Sequence, residues 1–137
     1  MKNQIDRFRA GLTACLLTSL ALAGFVSAAE MSADDKKFLA QYEDVRTALA
    51  ADNLEEAKKA ATEMDDAGAA LAKAGNITDA RKEFATMSDR ALKLVEGHEG
   101  YYHVNCPMLK KDWVQTTDQI SNPYAGKSMP KCGTIKK

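Results

Sequence analysis

At 137 residues the chain has room for one domain, and 45% hydrophobic against 28% charged residues fits a folded, water-exposed protein. Lysine plus arginine number 19 and aspartate plus glutamate number 19, a formal balance of zero. Such a balance offers no basic face for neutralising a run of phosphates, which argues against nucleic acid as a partner.

The first segment does not read as part of the domain. Met1 to Arg9 carries Lys2, Arg7 and Arg9, and Leu12 to Val26 is mostly apolar. Val26-Ser27-Ala28 followed by Ala29 supplies the small residues of a cleavage site. The pattern predicts a signal peptide over residues 1–29, with an apolar core too short to span a membrane. Leu12-Thr13-Ala14-Cys15 superficially matches a lipoprotein box, but most of the apolar core follows Cys15 where it should precede it. Cys15 therefore reads as part of the discarded leader. With no twin-arginine pair, a Sec-type route to a periplasm is the simplest expectation, and no membrane attachment remains after cleavage. Loss of three cations and one anion leaves 16 basic and 18 acidic residues in a mature domain spanning residues 30–137. Two cysteines remain, in an oxidising compartment.

Ser32-Ala33-Asp34-Asp35 places a capping serine before an acidic first turn. Phe38, Leu39, Tyr42, Val45 and Leu49 then recur at helical spacing to about Ala51. Asp52-Asn53 ends that helix and caps the next, whose face of Leu54, Ala57, Ala61, Met64, Gly68 and Leu71 is small enough for close helix approach. Gly75 suits its C-terminus. Thr78 with Asp79 starts a third helix, with Ala80, Phe84, Met87, Ala91, Leu94 and Val95 as its buried stripe up to Gly97. His98 falls at the helix end, where the dipole favours a cation. Short connections predict antiparallel neighbours. The expected fold is all-α: an antiparallel three-helix bundle with an irregular C-terminal Cys/Met loop, residues 101–133, packed on it.

Alanine-rich stripes bury little area at roughly 25 cal/mol per Å², so this core gains from a further constraint. The tail can supply one through Trp113, Ile120 and Tyr124, and through its sulfurs. Cys106 and Met108 flank Pro107, Met129 and Cys132 sit around Pro130, and His103 lies three residues before Cys106. Thiolate and thioether donors together suit Cu(I), or Ag(I), better than harder divalent ions. The expected metal ligands are Cys106 and Cys132 first, then Met108 and Met129, then His103. A zinc site would use His103, Cys106 and Cys132 with a fourth ligand and leave both methionines idle. The rival reading is a structural Cys106–Cys132 disulfide, worth about 3–4 kcal/mol for a loop of this length, in a non-enzymatic protein-interaction domain. Asn122-Pro123-Tyr124-Ala125-Gly126 carries turn chemistry able to bring Met129 and Cys132 back toward Cys106. No nucleophile with base, orienting group and oxyanion donors can be assembled, so an enzyme is not expected.

On Tyr102, Cys106-Pro107-Met108, Asp112-Trp113, Ile120 to Gly126 and Met129-Pro130-Lys131-Cys132-Gly133, the tail resembles a family of secreted bacterial domains of unknown function (family three-three-four-seven). Members of that family occur alone or appended to the periplasmic adaptor subunits of heavy-metal efflux pumps. Ala48-Leu49, Asp52-Asn53-Leu54, Arg81, Phe84 and Ser88 extend the likeness over nearly the whole mature chain. Departures are Val114-Gln115, where members tend to have Leu-Ser, and Pro130, where many have an apolar residue. The resemblance implies copper or heavy-metal handling in the periplasm, with an efflux adaptor or copper chaperone as partner.

Overall fold

The structure is a computed structural model describing residues 30–136, so the predicted leader, with Cys15 and the cleavage site, lies outside the described residues. Helix α1 (Ala33–Ala50) begins where the capping signal puts it: Ser32 Oγ accepts the Asp35 amide at 3.1 Å, and Asp34 and Asp35 occupy the first turn. It buries Phe38, Leu39, Tyr42, Val45 and Leu49, and the chain turns at Asp52 with φ 58°. Asn53 then caps α2 (Leu54–Thr62) by accepting the Glu56 amide at 3.2 Å.

The second helix does not run to Gly75. Asp65 takes a left-handed φ of 50°, a 3-10 turn covers Asp65–Ala67, and the four-residue α3 (Ala69–Ala72) follows. Gly68 sits at this bend against the Ala61 backbone, where a Cβ would lie 2.7 Å from the carbonyl carbon. The small-residue face thus serves a close backbone approach within the bend as well as helix packing. Asn76 caps α4 (Ile77–Leu94) by accepting the Asp79 amide at 2.9 Å, and Ala80, Phe84, Met87 and Ala91 turn inward.

The tail corrects the fold expectation. It forms β1 (Tyr102–Cys106), β2 (Lys111–Gln115) and β3 (Thr134–Ile135), an antiparallel sheet in the order β2-β1-β3. The fold is therefore mixed α/β, four helices and a three-stranded sheet, and not an all-α three-helix bundle with an irregular loop. The physical cause is a period-two pattern hidden in five residues. Tyr102, Val104 and Cys106 alternate with His103 and Asn105, and Pro107 to Lys110 closes a hairpin with Lys110 at φ 52°.

The sheet meets the helices along the outer edge of β2, where backbone groups need partners. The Val114 amide donates to the Tyr42 hydroxyl at 3.2 Å, and Tyr42 lies 2.8 Å from Ser88 Oγ. Ser88 lies 3.0 Å from the Tyr124 hydroxyl, which is 3.3 Å from the Asp112 carbonyl. The Val114 amide donates to Tyr42 and the Tyr124 hydroxyl donates to Ser88 Oγ, so the row ties the edge of β2 to α1 and α4. Around it runs an aromatic series, with centroid distances of 4.8 Å for Tyr42–Phe84, 5.5 Å for Phe84–Tyr124 and 6.2 Å for Tyr124–Trp113. The tail thereby adds Trp113 and Tyr124 to a core that the helices furnish with Tyr42, Phe84, Leu49 and Leu71.

Candidate sulfur site

Cys106 ends β1 and Cys132 precedes β3, and the two are joined as a disulfide across 26 residues, with Cα atoms 5.6 Å apart. Their neighbouring strands are already paired, Val104 with Ile135 and Asn105 with Thr134. The covalent link therefore sits beside a backbone ladder and is not the sole tie between the two segments. Cys106 is fully buried and Cys132 half-buried.

The return of Cys132 depends on Asn122. Its buried side chain donates to the Cys132 carbonyl at 2.9 Å and accepts the amides of Tyr124 and Ala125 at 2.9 and 3.1 Å. Its own amide donates to the Pro130 carbonyl at 2.9 Å. Two arginines hold this turn against the helices. Arg46 donates to the Ser121 carbonyl at 3.0 Å while gripping Glu43 through two 2.8 Å bonds. Arg81 donates to the Pro123 carbonyl at 2.8 Å and to Asp52 at 2.6 Å. The Lys127 amide and the Arg81 guanidinium together hold the Asp52 carboxyl below its ordinary pKa.

Trp113 is fully buried, its Nε1 donating to Gln115 Oε1 at 3.0 Å. Gly133 crosses over it so closely that a Cβ would lie 2.9 Å from the indole Cη2 and 2.7 Å from Val104 Cγ1.

Cys106 and Cys132 come together. Met108 stands on the hairpin turn and is 74% exposed, and Met129 is half-buried after a 3-10 turn at Gly126–Ser128. His103 is three residues from Cys106 on a strand, an odd spacing that puts the two side chains on opposite faces of the sheet. Its Nε2 lies 2.7 Å from Asp112 Oδ1, which also takes Lys136 Nζ at 2.9 Å, while Asn105 donates to Oδ2 at 3.2 Å. Burial pushes the Asp112 carboxyl up, but these three partners outweigh it and leave the pKa lowered. Among the described residues no three His, Cys, Asp or Glu side chains converge as a metal site. A cation at the cysteines would have to draw on thioethers to complete a sulfur set. His98 lines a cavity with His103 at the end of α4, away from the sulfur-bearing face of the sheet.

Sequence reading missed Asn122, Arg46 and Arg81 as the residues that set the tail. The N-P-Y turn was visible, but nothing in the chain announces that its asparagine satisfies three backbone groups at once. No protein-family model, curated protein or solved structure matches the chain.

Proposed function

We propose that this is a non-enzymatic periplasmic domain whose Cys106–Cys132 pair exists in two forms: a disulfide that locks the tail, and a dithiol that takes a soft cation, Cu(I) or Ag(I). The observation that carries the reading is the meeting of two cysteines 26 residues apart, at a Cα separation of 5.6 Å. Passage between the forms moves two electrons and two protons, supplied in the reducing direction by an external dithiol. The reduced pair then releases its two thiol protons to solvent as the thiolates bind the cation. Met108 on its exposed turn supports the reading, because a solvent-facing thioether two residues from a cysteine contributes nothing to a disulfide. The role that follows is metal buffering or transfer to an efflux or delivery partner. His103 is left out of the ligand set, because its ring is engaged by Asp112 on the other face.

A second reading has its own support. Cys106 is wholly buried, which suits a permanent staple in a protein-interaction domain. Native mass spectrometry of oxidised and reduced protein after exposure to Cu(I), beside thiol titration, separates the two. The first reading expects one copper on the reduced protein, none on the oxidised, and loss of uptake in Cys106→Ser and Cys132→Ser. It expects weakened uptake in Met108→Leu and Met129→Leu. Absence of copper uptake after full reduction of a protein that stays folded would reject it and favour the staple.

A further inference from the structure

We infer that the cleft between the start of α4 and the β1–β2 turn docks a protein segment presenting a carboxylate beside an apolar side chain. The cavity holds about 240 Å³ and is lined by Thr78, Arg81, Lys82, Leu109, Lys111 and Tyr124. Three of these six are cations and none is an acid. Arg81 is committed to Asp52 at 2.6 Å and Lys82 to Asp79 at 3.1 Å. Lys111 makes no ion pair among the described residues. Its ammonium stands 5.6 Å from the Tyr124 ring centroid, the outer limit of a cation–π contact. An incoming carboxylate therefore finds a cation it does not have to win from another acid.

Leu109 and Tyr124 give the cleft an apolar floor, with room for one leucine- or phenylalanine-sized side chain. Met108, on the same turn, is the large hydrophobic residue left 74% exposed. Apolar anchor and charge thus lie together, the combination found where few residues carry most of a binding energy. The wider field agrees. From Tyr101 onward the chain carries six lysines and two aspartates, a formal +4, whereas residues 30–100 carry ten cations and sixteen acids, a formal −6. An acidic segment is steered to the tail end and repelled from the helical body. An anionic bilayer is disfavoured by the same helical charge. The proposal does not rest on the metal reading, although such a partner would lie against the turn that follows Cys106.

The test is an NMR titration of the ¹⁵N-labelled, oxidised protein with the peptide acetyl-Asp-Leu-Glu-amide. Saturating shifts confined to Thr78, Leu109, Lys111 and Tyr124 are expected, with a Kd of about 1–5 mM for so short a probe. Lys111→Glu should weaken binding at least about tenfold. Leu109→Ser should do the same without altering charge. Lys59→Glu, in the separate groove between α1 and α2, should leave it unchanged. Equal binding of acetyl-Asp-Gly-Glu-amide, or shifts spread over every lysine of the tail, would overturn the proposal by showing unspecific charge attraction. So would sedimentation of the protein with phosphatidylglycerol vesicles when the peptide produces no shift.

Discussion

Replacing Asn122 with alanine should be among the costliest single changes in the tail. The side chain is fully buried and serves the Cys132 carbonyl and the amides of Tyr124 and Ala125, at 2.9, 2.9 and 3.1 Å. Truncation leaves two donors and one acceptor without a partner, each costing about 1–3 kcal/mol if water does not reach it. Cys132 is half-buried, so its carbonyl recovers part of the loss from solvent. A total of about 3 kcal/mol follows, or a fall in Tm of roughly 10–20 °C for a domain of this size. Urea denaturation of the oxidised Asn122→Ala protein, with the slope compared to wild type, measures the loss. The same variant should reduce more readily in dithiothreitol, because the clasp that returns Cys132 to Cys106 is gone. A loss under about 1 kcal/mol with unchanged reducibility would show that the turn holds itself and that Asn122 is not its organiser.

Cys132→Ser, read against the oxidised wild type, should cost about 3–4 kcal/mol from the 26-residue loop, measurable by the same denaturation. Reduction of the wild type should cost a similar amount, and the sheet should survive it, because β1 and β3 keep their ladder, as amide exchange can report. Ser88→Ala removes the middle of the hydroxyl row between Val114 and Asp112 and should cost about 1–3 kcal/mol by thermal unfolding. Asp52 has its pKa lowered by the Lys127 amide and Arg81, so its stabilisation is present above the ordinary carboxylate pKa of about 4 and is lost as pH falls through the depressed folded value. Asp52→Asn should therefore be less stable than wild type at pH 7, with the gap closing in the acid limb of a pH–stability profile.

The helices were legible because their signals are local and redundant. Ser32 and Asn53 act as caps at the positions the sequence indicates, and the stripe from Phe38 to Leu49 is buried as spaced. The bend at Asp65 was not legible, because a left-handed aspartate and a glycine pressed on Ala61 are set by tertiary approach, whereas the apolar spacing continues through them. The sheet escaped for a different reason. Five residues of alternation in Tyr102–Cys106 carry too few repeats to stand out, and the strand is specified by its partners Lys111–Gln115 and Thr134–Ile135. That oversight carried over to the site. His103 looked close to Cys106 by sequence, and only strand geometry turns a spacing of three into opposite faces. The pairing of Cys106 with Cys132 was anticipated by the turn at Asn122–Gly126, whereas the arginine grip on its carbonyls had no sequence signal.

Copper-edge X-ray absorption on the reduced protein loaded with one equivalent of Cu(I) decides whether sulfur alone receives the metal. The expected spectrum shows a first shell of sulfur scatterers with no imidazole signature, abolished in Cys106→Ser. A nitrogen shell with the outer scattering of a histidine ring, or copper that washes off the reduced protein, would contradict it.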